Sequence, residues 1–210
     1  MFVGRERELA TLERLYRSDA FQMPVVYGRR RVGKTSLIVE FVKGKPAIFF
    51  SARESTAKEN LVALSQAIAD LRLDGTPVAS DTAAPVFASF EEAFTHVFML
   101  AQQQRIVFVI DEFPYLAQSD RSVSSVLQHL IDRRKENSRL FLILCGSSMS
   151  FMEHQVLGYK SPLYGRRTAQ IKVQPFDIMQ ASLLLSGSSS EDIVTWYGIA
   201  GGIPLYLEQF

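Results

Sequence analysis

Cysteine occurs once in the 210 residues, at Cys145, so no disulfide can form within the chain and a reducing cytoplasm is the expected compartment. Histidine occurs three times, and His96, His129 and His154 are too scattered to make a ligand pair at zinc spacing. Neither sign of charge dominates. The 23 Lys+Arg against 22 Asp+Glu leave +1, which removes any bulk electrostatic case for coating a nucleic acid or an anionic membrane. The longest apolar runs, such as Leu140 to Cys145, fall far short of the roughly 18 residues that span a bilayer, so no membrane partner is expected. The amino end, Met1-Phe2-Val3-Gly4-Arg5-Glu6, is charged almost at once and lacks the apolar stretch of a secretory signal. What is present is a globular profile, 47% hydrophobic and 21% charged. The length suits one α/β domain with a small appendage, or two compact domains.

Hydrophobic periodicity gives alternating elements. Arg5 to Tyr16 places Leu9, Leu12, Leu15 and Tyr16 on one helical face, and Pro24-Val25-Val26-Tyr27 reads as a buried strand ended by Gly28. Leu37, Ile38, Phe41 and Val42 then follow helical spacing up to Gly44. Ala47 to Phe50 reads as a second strand, and Thr56 to Glu59 as a capping box opening a helix with Leu61, Leu64, Ile68 and Leu71. Residues 72–88 carry Gly75, Pro77 and Pro85 without a period and read as a loop or lid. A second capping box, Ser89 to Glu92, opens a helix that leads to the uninterrupted run Ile106 to Ile110, expected as a central strand covered on both faces. A helix over 121–136, a strand from Leu140 to Cys145 and a weaker one from Thr168 to Val173 follow. Strands alternating with helices imply a parallel sheet. From Pro175 onward the pattern turns to short helical pieces, so residues 1–174 are expected to form the core and 175–210 a helical lid subdomain.

Gly28-Arg29-Arg30-Arg31-Val32-Gly33-Lys34-Thr35 fits G-x-x-x-x-G-K-[ST] between a strand and a helix, the context the motif requires. The glycines let backbone N–H groups close around phosphate oxygens, and the helix terminus adds positive potential. The span Gly28 to Ser36 is therefore the candidate phosphate site, with Lys34 reaching the β- and γ-phosphates and Thr35 offering its hydroxyl to Mg²⁺. Asp111 and Glu112 end the most apolar strand, where ligands bind in open α/β sheets. Asp111 there would hold the Mg²⁺ shell, and Glu112 could deprotonate a water for attack on the γ-phosphate. The plainer reading of the pair is an acidic turn before Pro114. No Asn-Lys-x-Asp sequence is present, which favours adenine over guanine. The three consecutive arginines read as part of the phosphate loop, not as a nucleic-acid patch, and Cys145 reads as a small core residue.

Phe2 to Leu9, Tyr27 to Thr35, Phe49 to Arg53, Val109 to Phe113, Gly146-Ser147-Ser148, Leu163 to Thr168 and Gly201-Gly202-Ile203-Pro204 to Leu207 together resemble the archaeal-type P-loop ATPases of the STAND class. These are AAA+-like relatives of initiator ATPases and NB-ARC switches. The resemblance implies a P-loop NTPase sheet sandwiched by helices, in strand order 5-1-4-3-2, with a small C-terminal helical subdomain whose Pro204 approaches the adenine. It places Phe2, Val3 and Arg5 near the same base, and Ser147 and Ser148 at the polar position that senses the γ-phosphate. It offers Arg166 or Arg167 as an arginine finger, acting within the chain or in a neighbouring copy, and thus a route to self-association. One departure is Gly146-Ser147-Ser148 where NB-ARC proteins carry Thr-Thr-Arg. The family commonly continues into further domains, so a truncated chain, with a protein or DNA partner bound through the missing part, is a further expectation.

The residues favour an ATP- and Mg²⁺-dependent, slow ATP hydrolase that works as a nucleotide-driven switch. A DNA-associated initiator-like loader, a small-molecule kinase and an inactive nucleotide-binding scaffold are the alternatives.

Overall fold

Four apolar runs and the weaker segment within Thr168 to Val173 become five parallel strands in the computed structural model, which describes residues 2–73, 76–77 and 85–210. They are β1 (Pro24–Tyr27), β2 (Ala47–Ser51), β3 (Ile106–Asp111), β4 (Leu140–Gly146) and β5 (Ala169–Lys172), in the order β2-β3-β4-β1-β5. This is the expected order 5-1-4-3-2 read from the other edge. All six residues of β3 and all seven of β4 are buried, which is why their sequences show no polar alternation. Side chains instead alternate between two apolar layers. Phe50, Phe108, Ile110, Leu142 and Leu144 face α3 (Ala57–Ala69), α4 (Phe90–Gln103), α5 (Phe113–Ser119) and α6 (Val123–Arg134). Val26, Val107, Val109, Phe141 and Ile143 face α1 (Glu6–Tyr16) and α2 (Lys34–Val42). Phe41 of α2 meets Phe141 of β4 at 5.2 Å between ring centroids, and Tyr16 of α1 sets its edge on both. Each such fully buried aromatic or aliphatic side chain contributes about 1.5–3 kcal/mol of transfer free energy.

Local signals set the helix starts. Thr56 accepts from the Glu59 backbone N–H at 3.2 Å while Glu59 accepts from the Thr56 N–H, closing the expected capping box of α3. At α4 the Ser89 hydroxyl accepts from the Glu92 N–H as expected, but the Glu92 carboxylate accepts from the N–H of Ala88, one residue earlier. Periodicity does not signal α5, nor a helical turn at Met149–Phe151 that passes into a π-helical turn at Met152–Val156. Within the stretch read as a loop or lid, Arg72–Leu73 pairs antiparallel with Thr76–Pro77, and Phe87 is buried in the main core beside His96. The rest of that stretch lies outside the described residues.

Beyond β5 come α7 (Ile178–Leu184), α8 (Ser190–Ala200) and α9 (Pro204–Leu207), which gather around a small cluster of Phe176, Ala181, Leu185, Ala200 and Leu207. Hydrogen bonds tie these helices to the segment after β5 and to the amino-terminal stretch. The Phe176 N–H donates to the Gly202 carbonyl at 2.7 Å, and the Gln180 amide donates to the Gly4 carbonyl at 2.8 Å. Gly202 holds φ +72° and a Cβ there would lie 2.1 Å from the Phe176 oxygen, so both conformation and space require glycine. Among the described residues no helix is long and apolar enough to cross a membrane.

Candidate nucleotide site

The glycine loop leaves β1 at Tyr27 and re-enters helical backbone at Lys34, at the carboxyl edge of the sheet. Gly28 is required by space, because a Cβ would sit 2.3 Å from the Val173 oxygen of the neighbouring chain segment. No side chain caps α2, so its first backbone N–H groups remain free to meet an anion. Lys34 is buried, and its Nζ donates to the carbonyls of Gly28 at 3.1 Å and Arg29 at 2.9 Å. The amine thus lies across the loop it would share with phosphate oxygens.

The acidic pair comes to the same place from β3. Thr35 Oγ1 donates to Asp111 Oδ2 at 3.1 Å, and the Glu112 N–H donates to Asp111 Oδ1 at 3.0 Å. A hydroxyl and a carboxylate side by side are hard oxygen donors of the kind that hold Mg²⁺ together with phosphate and water, so the residues fit that ion. Glu112 has left-handed backbone, φ +51° and ψ +46°, between β3 and α5. A non-glycine residue there carries roughly 1–3 kcal/mol of strain, a cost that tends to persist where function fixes the geometry. Its Oε2 accepts from Ser147 N–H at 3.1 Å and Ser147 Oγ at 2.9 Å, at the end of β4. Cys145, fully buried behind the pair, has its thiol pushed well up by burial and then by the charge of Asp111, which suits an inert core residue.

Two adjoining clefts flank the loop. One, of about 400 Å³, is lined by Phe2, Val3, Arg5, Val32, Phe176 and Pro204 among others, and the other, of about 290 Å³, by Arg30, Arg31, Lys34, Glu112 and Leu205 among others. Phe2, Val3, Arg5 and Pro204 therefore share the wall of one cleft. Arg5 is committed within that wall: it is 3% exposed, donates to the carbonyls of Val32 at 2.8 Å and Gln174 at 2.6 Å, and stacks on the Phe176 ring at 4.4 Å. Its burial lowers the guanidinium pKa, with partial compensation from Glu8. Arg5 thus pins the loop to the segment leading into α7. Arg30 donates to Tyr115 Oη at 2.6 Å and Arg31 to Tyr206 Oη at 2.7 Å, while Arg29 is exposed.

Arg166 and Arg167 are not brought to the loop. They precede β5, whose Ala169 pairs with Pro24 at the amino end of β1, so they lie at the sheet edge opposite Gly28. Arg166 forms a bidentate pair with Asp132, 2.6 and 2.9 Å, and holds the Asp132 carboxyl below its usual range; Arg167 donates to the Leu157 carbonyl. A finger acting within this chain is therefore not formed, because both guanidiniums are engaged at the far edge. Ser148 begins the turn after β4, and only Ser147 of that pair reaches Glu112. Sequence reasoning passed over Tyr115, Phe176 and Glu208. Tyr115 lies one helical turn beyond Glu112, a spacing that a helix assignment there would have flagged, whereas Glu208 lies one turn beyond Pro204 in a stretch already read as helical, where the spacing alone did not mark it.

A parallel sheet in this order with a glycine-lysine loop at its carboxyl edge defines a P-loop ATPase fold. The chain belongs to the family described as an ATPase domain predominantly from Archaea, whose model matches residues 2–210. An uncharacterized protein of Methanocaldococcus jannaschii is 34% identical over 209 residues, 100% of this chain but 44% of that protein. The Walker-type ATPase of Pyrococcus abyssi has a TM-score of 0.71 and 25% identity, over 99% of this chain and 66% of that one. The Orc1 protein of Aeropyrum pernix, solved in complex with DNA, has a TM-score of 0.66 at 17% identity over 99% of this chain and 58% of that one, a likeness of fold. The chain spans less than half the length of the curated relative. It is a nucleotide-binding ATPase domain.

Proposed function

We propose that this domain binds ATP with Mg²⁺ in the paired clefts and hydrolyses it slowly, using the nucleotide state to move a C-terminal lid on a core formed by residues 1–174. The observation that carries this is the convergence of Lys34 and Thr35, at the start of α2, with Asp111 and Glu112, at the end of β3, on one glycine loop. The loop N–H groups and Lys34 bind the polyphosphate. Mg²⁺ would be held by Thr35 and Asp111 and would supply charge neutralisation at the β- and γ-phosphates. Glu112 takes a proton from the attacking water, and Ser147 fixes the carboxylate for that role.

The switch reading draws support from where the lid touches the site. Pro204 lines both clefts, and Arg31 of the loop donates to Tyr206 of α9, so whatever repositions the loop arginine also loads α9. The same Arg31 lies over the Tyr206 ring at 5.3 Å. The test is ATP binding and phosphate release by the purified protein in Mg²⁺ and in EDTA, with Lys34→Ala as control. The expected result is Mg²⁺-dependent release that Lys34→Ala removes together with binding. Binding that survives Lys34→Ala unchanged would reject the site.

A further inference from the structure

We infer that Glu208 sets the sugar specificity of the cleft, its carboxylate accepting hydrogen bonds from the ribose hydroxyls of the bound nucleotide, a role that rests on the nucleotide reading above. The two clefts share a common wall of Gly33, Thr35, Ser36, Pro204 and Glu208. A nucleotide whose base occupies one cleft and whose phosphates occupy the other must place its sugar at that wall, because the sugar is the covalent link between them. Gly33, Thr35 and Ser36 belong to the phosphate loop, and Pro204 offers no polar side-chain atom. Glu208 is the remaining polar group.

Its carboxylate is uncommitted: among the described residues it makes no side-chain hydrogen bond or ion pair. The other carboxylate of the base-side cleft, Glu40, differs in being paired with Lys43 at 2.6 Å. The Glu208 backbone is nevertheless fixed, since its N–H donates to the Pro204 carbonyl at 3.0 Å and the preceding turn is tied to the loop through Tyr206 and Arg31. A free carboxylate beside a polyphosphate is repulsive on Coulomb grounds alone. A vicinal diol offers two O–H donors to its two oxygens, a charge-assisted contact that offsets the repulsion for ribose but less so for deoxyribose.

Calorimetric titration of ADP and 2′-deoxy-ADP, each with Mg²⁺, into the wild-type chain and into Glu208→Ala tests this. Wild type is expected to prefer ADP by about tenfold, the size of one hydrogen bond to a charged group at a partly solvated site. Glu208→Ala should bind both within about twofold, through loss of ADP affinity without loss of 2′-deoxy-ADP affinity. Glu208→Gln, which keeps an acceptor oxygen without the charge, should fall between. A wild type that does not discriminate, or a preference that survives in Glu208→Ala, overturns the assignment while leaving the nucleotide site intact. If neither nucleotide binds wild type, the nucleotide reading itself falls and this inference with it.

Discussion

Ser147 donates two hydrogen bonds to a single oxygen of Glu112, from its backbone N–H at 3.1 Å and its hydroxyl at 2.9 Å. The residues are 35 apart in sequence and meet because β3 and β4 are neighbours that end at the same edge. The contact leaves the other carboxylate oxygen for water. Ser147→Ala removes the hydroxyl donor and keeps the backbone one, so turnover should fall about three- to tenfold with nucleotide affinity unchanged. Single-turnover phosphate release beside equilibrium binding reads the two separately. A fall in affinity with the rate preserved would place Ser147 in binding instead.

Thr35 and Asp111 form a hydroxyl–carboxylate pair at the loop, 3.1 Å apart. Thr35→Ala should raise the Mg²⁺ concentration needed for half-maximal turnover by about tenfold or more while leaving binding of nucleotide in EDTA near the wild-type value. A Mg²⁺ titration of phosphate release checks it, and an unshifted midpoint would remove Thr35 from the ion's shell.

Gly202 seats the C-terminal helices through the Phe176 N–H. Gly202→Ala forces a Cβ against the Phe176 oxygen at positive φ and should cost about 1–3 kcal/mol, concentrated in the last helices. Hydrogen exchange should show protection lost in α7–α9 with the sheet unaffected. Uniform loss across the sheet would mean that these helices and the core unfold as one unit.

Arg166 and Asp132 close a bidentate pair far from the loop. Because the folded Asp132 carboxyl lies below its unfolded value of about 4, the pair's stabilisation is complete above that pH and is lost as pH falls through the folded pKa. Asp132→Asn should flatten the acid limb of stability against pH below about pH 4 and leave it unchanged near neutrality in slope. Arg166→Ala should leave nucleotide affinity of the isolated chain unaltered. Thermal melts across the acid range and a nucleotide titration decide both points.

The strands were legible in the sequence because β3 and β4 are buried on both faces and so read as unbroken apolar runs, and the loop because its glycines are dictated by backbone geometry. Helix starts were legible where a serine, threonine or glutamate bonds locally, as at Thr56. The helix α5 was not, since seven residues with Pro114 in the first turn hold too little period to register. The true partners of Arg5 and Arg166 were also hidden. Gln174 lies 169 residues from Arg5, and Asp132 lies 34 from Arg166, so no local pattern could reveal that these guanidiniums were already engaged. Lines of approach across the sheet settle such pairs, and periodicity carries no record of them.

In the proposed mechanism Glu112 activates water over a nucleotide held by the loop. Glu112→Gln keeps the shape and an oxygen for Ser147 but removes the base. In a filter-binding and phosphate-release assay with labelled ATP and Mg²⁺, the account predicts that this variant retains ATP at near wild-type affinity and releases phosphate at least about a hundredfold more slowly. Turnover within about twofold of wild type, with ATP bound, would contradict it.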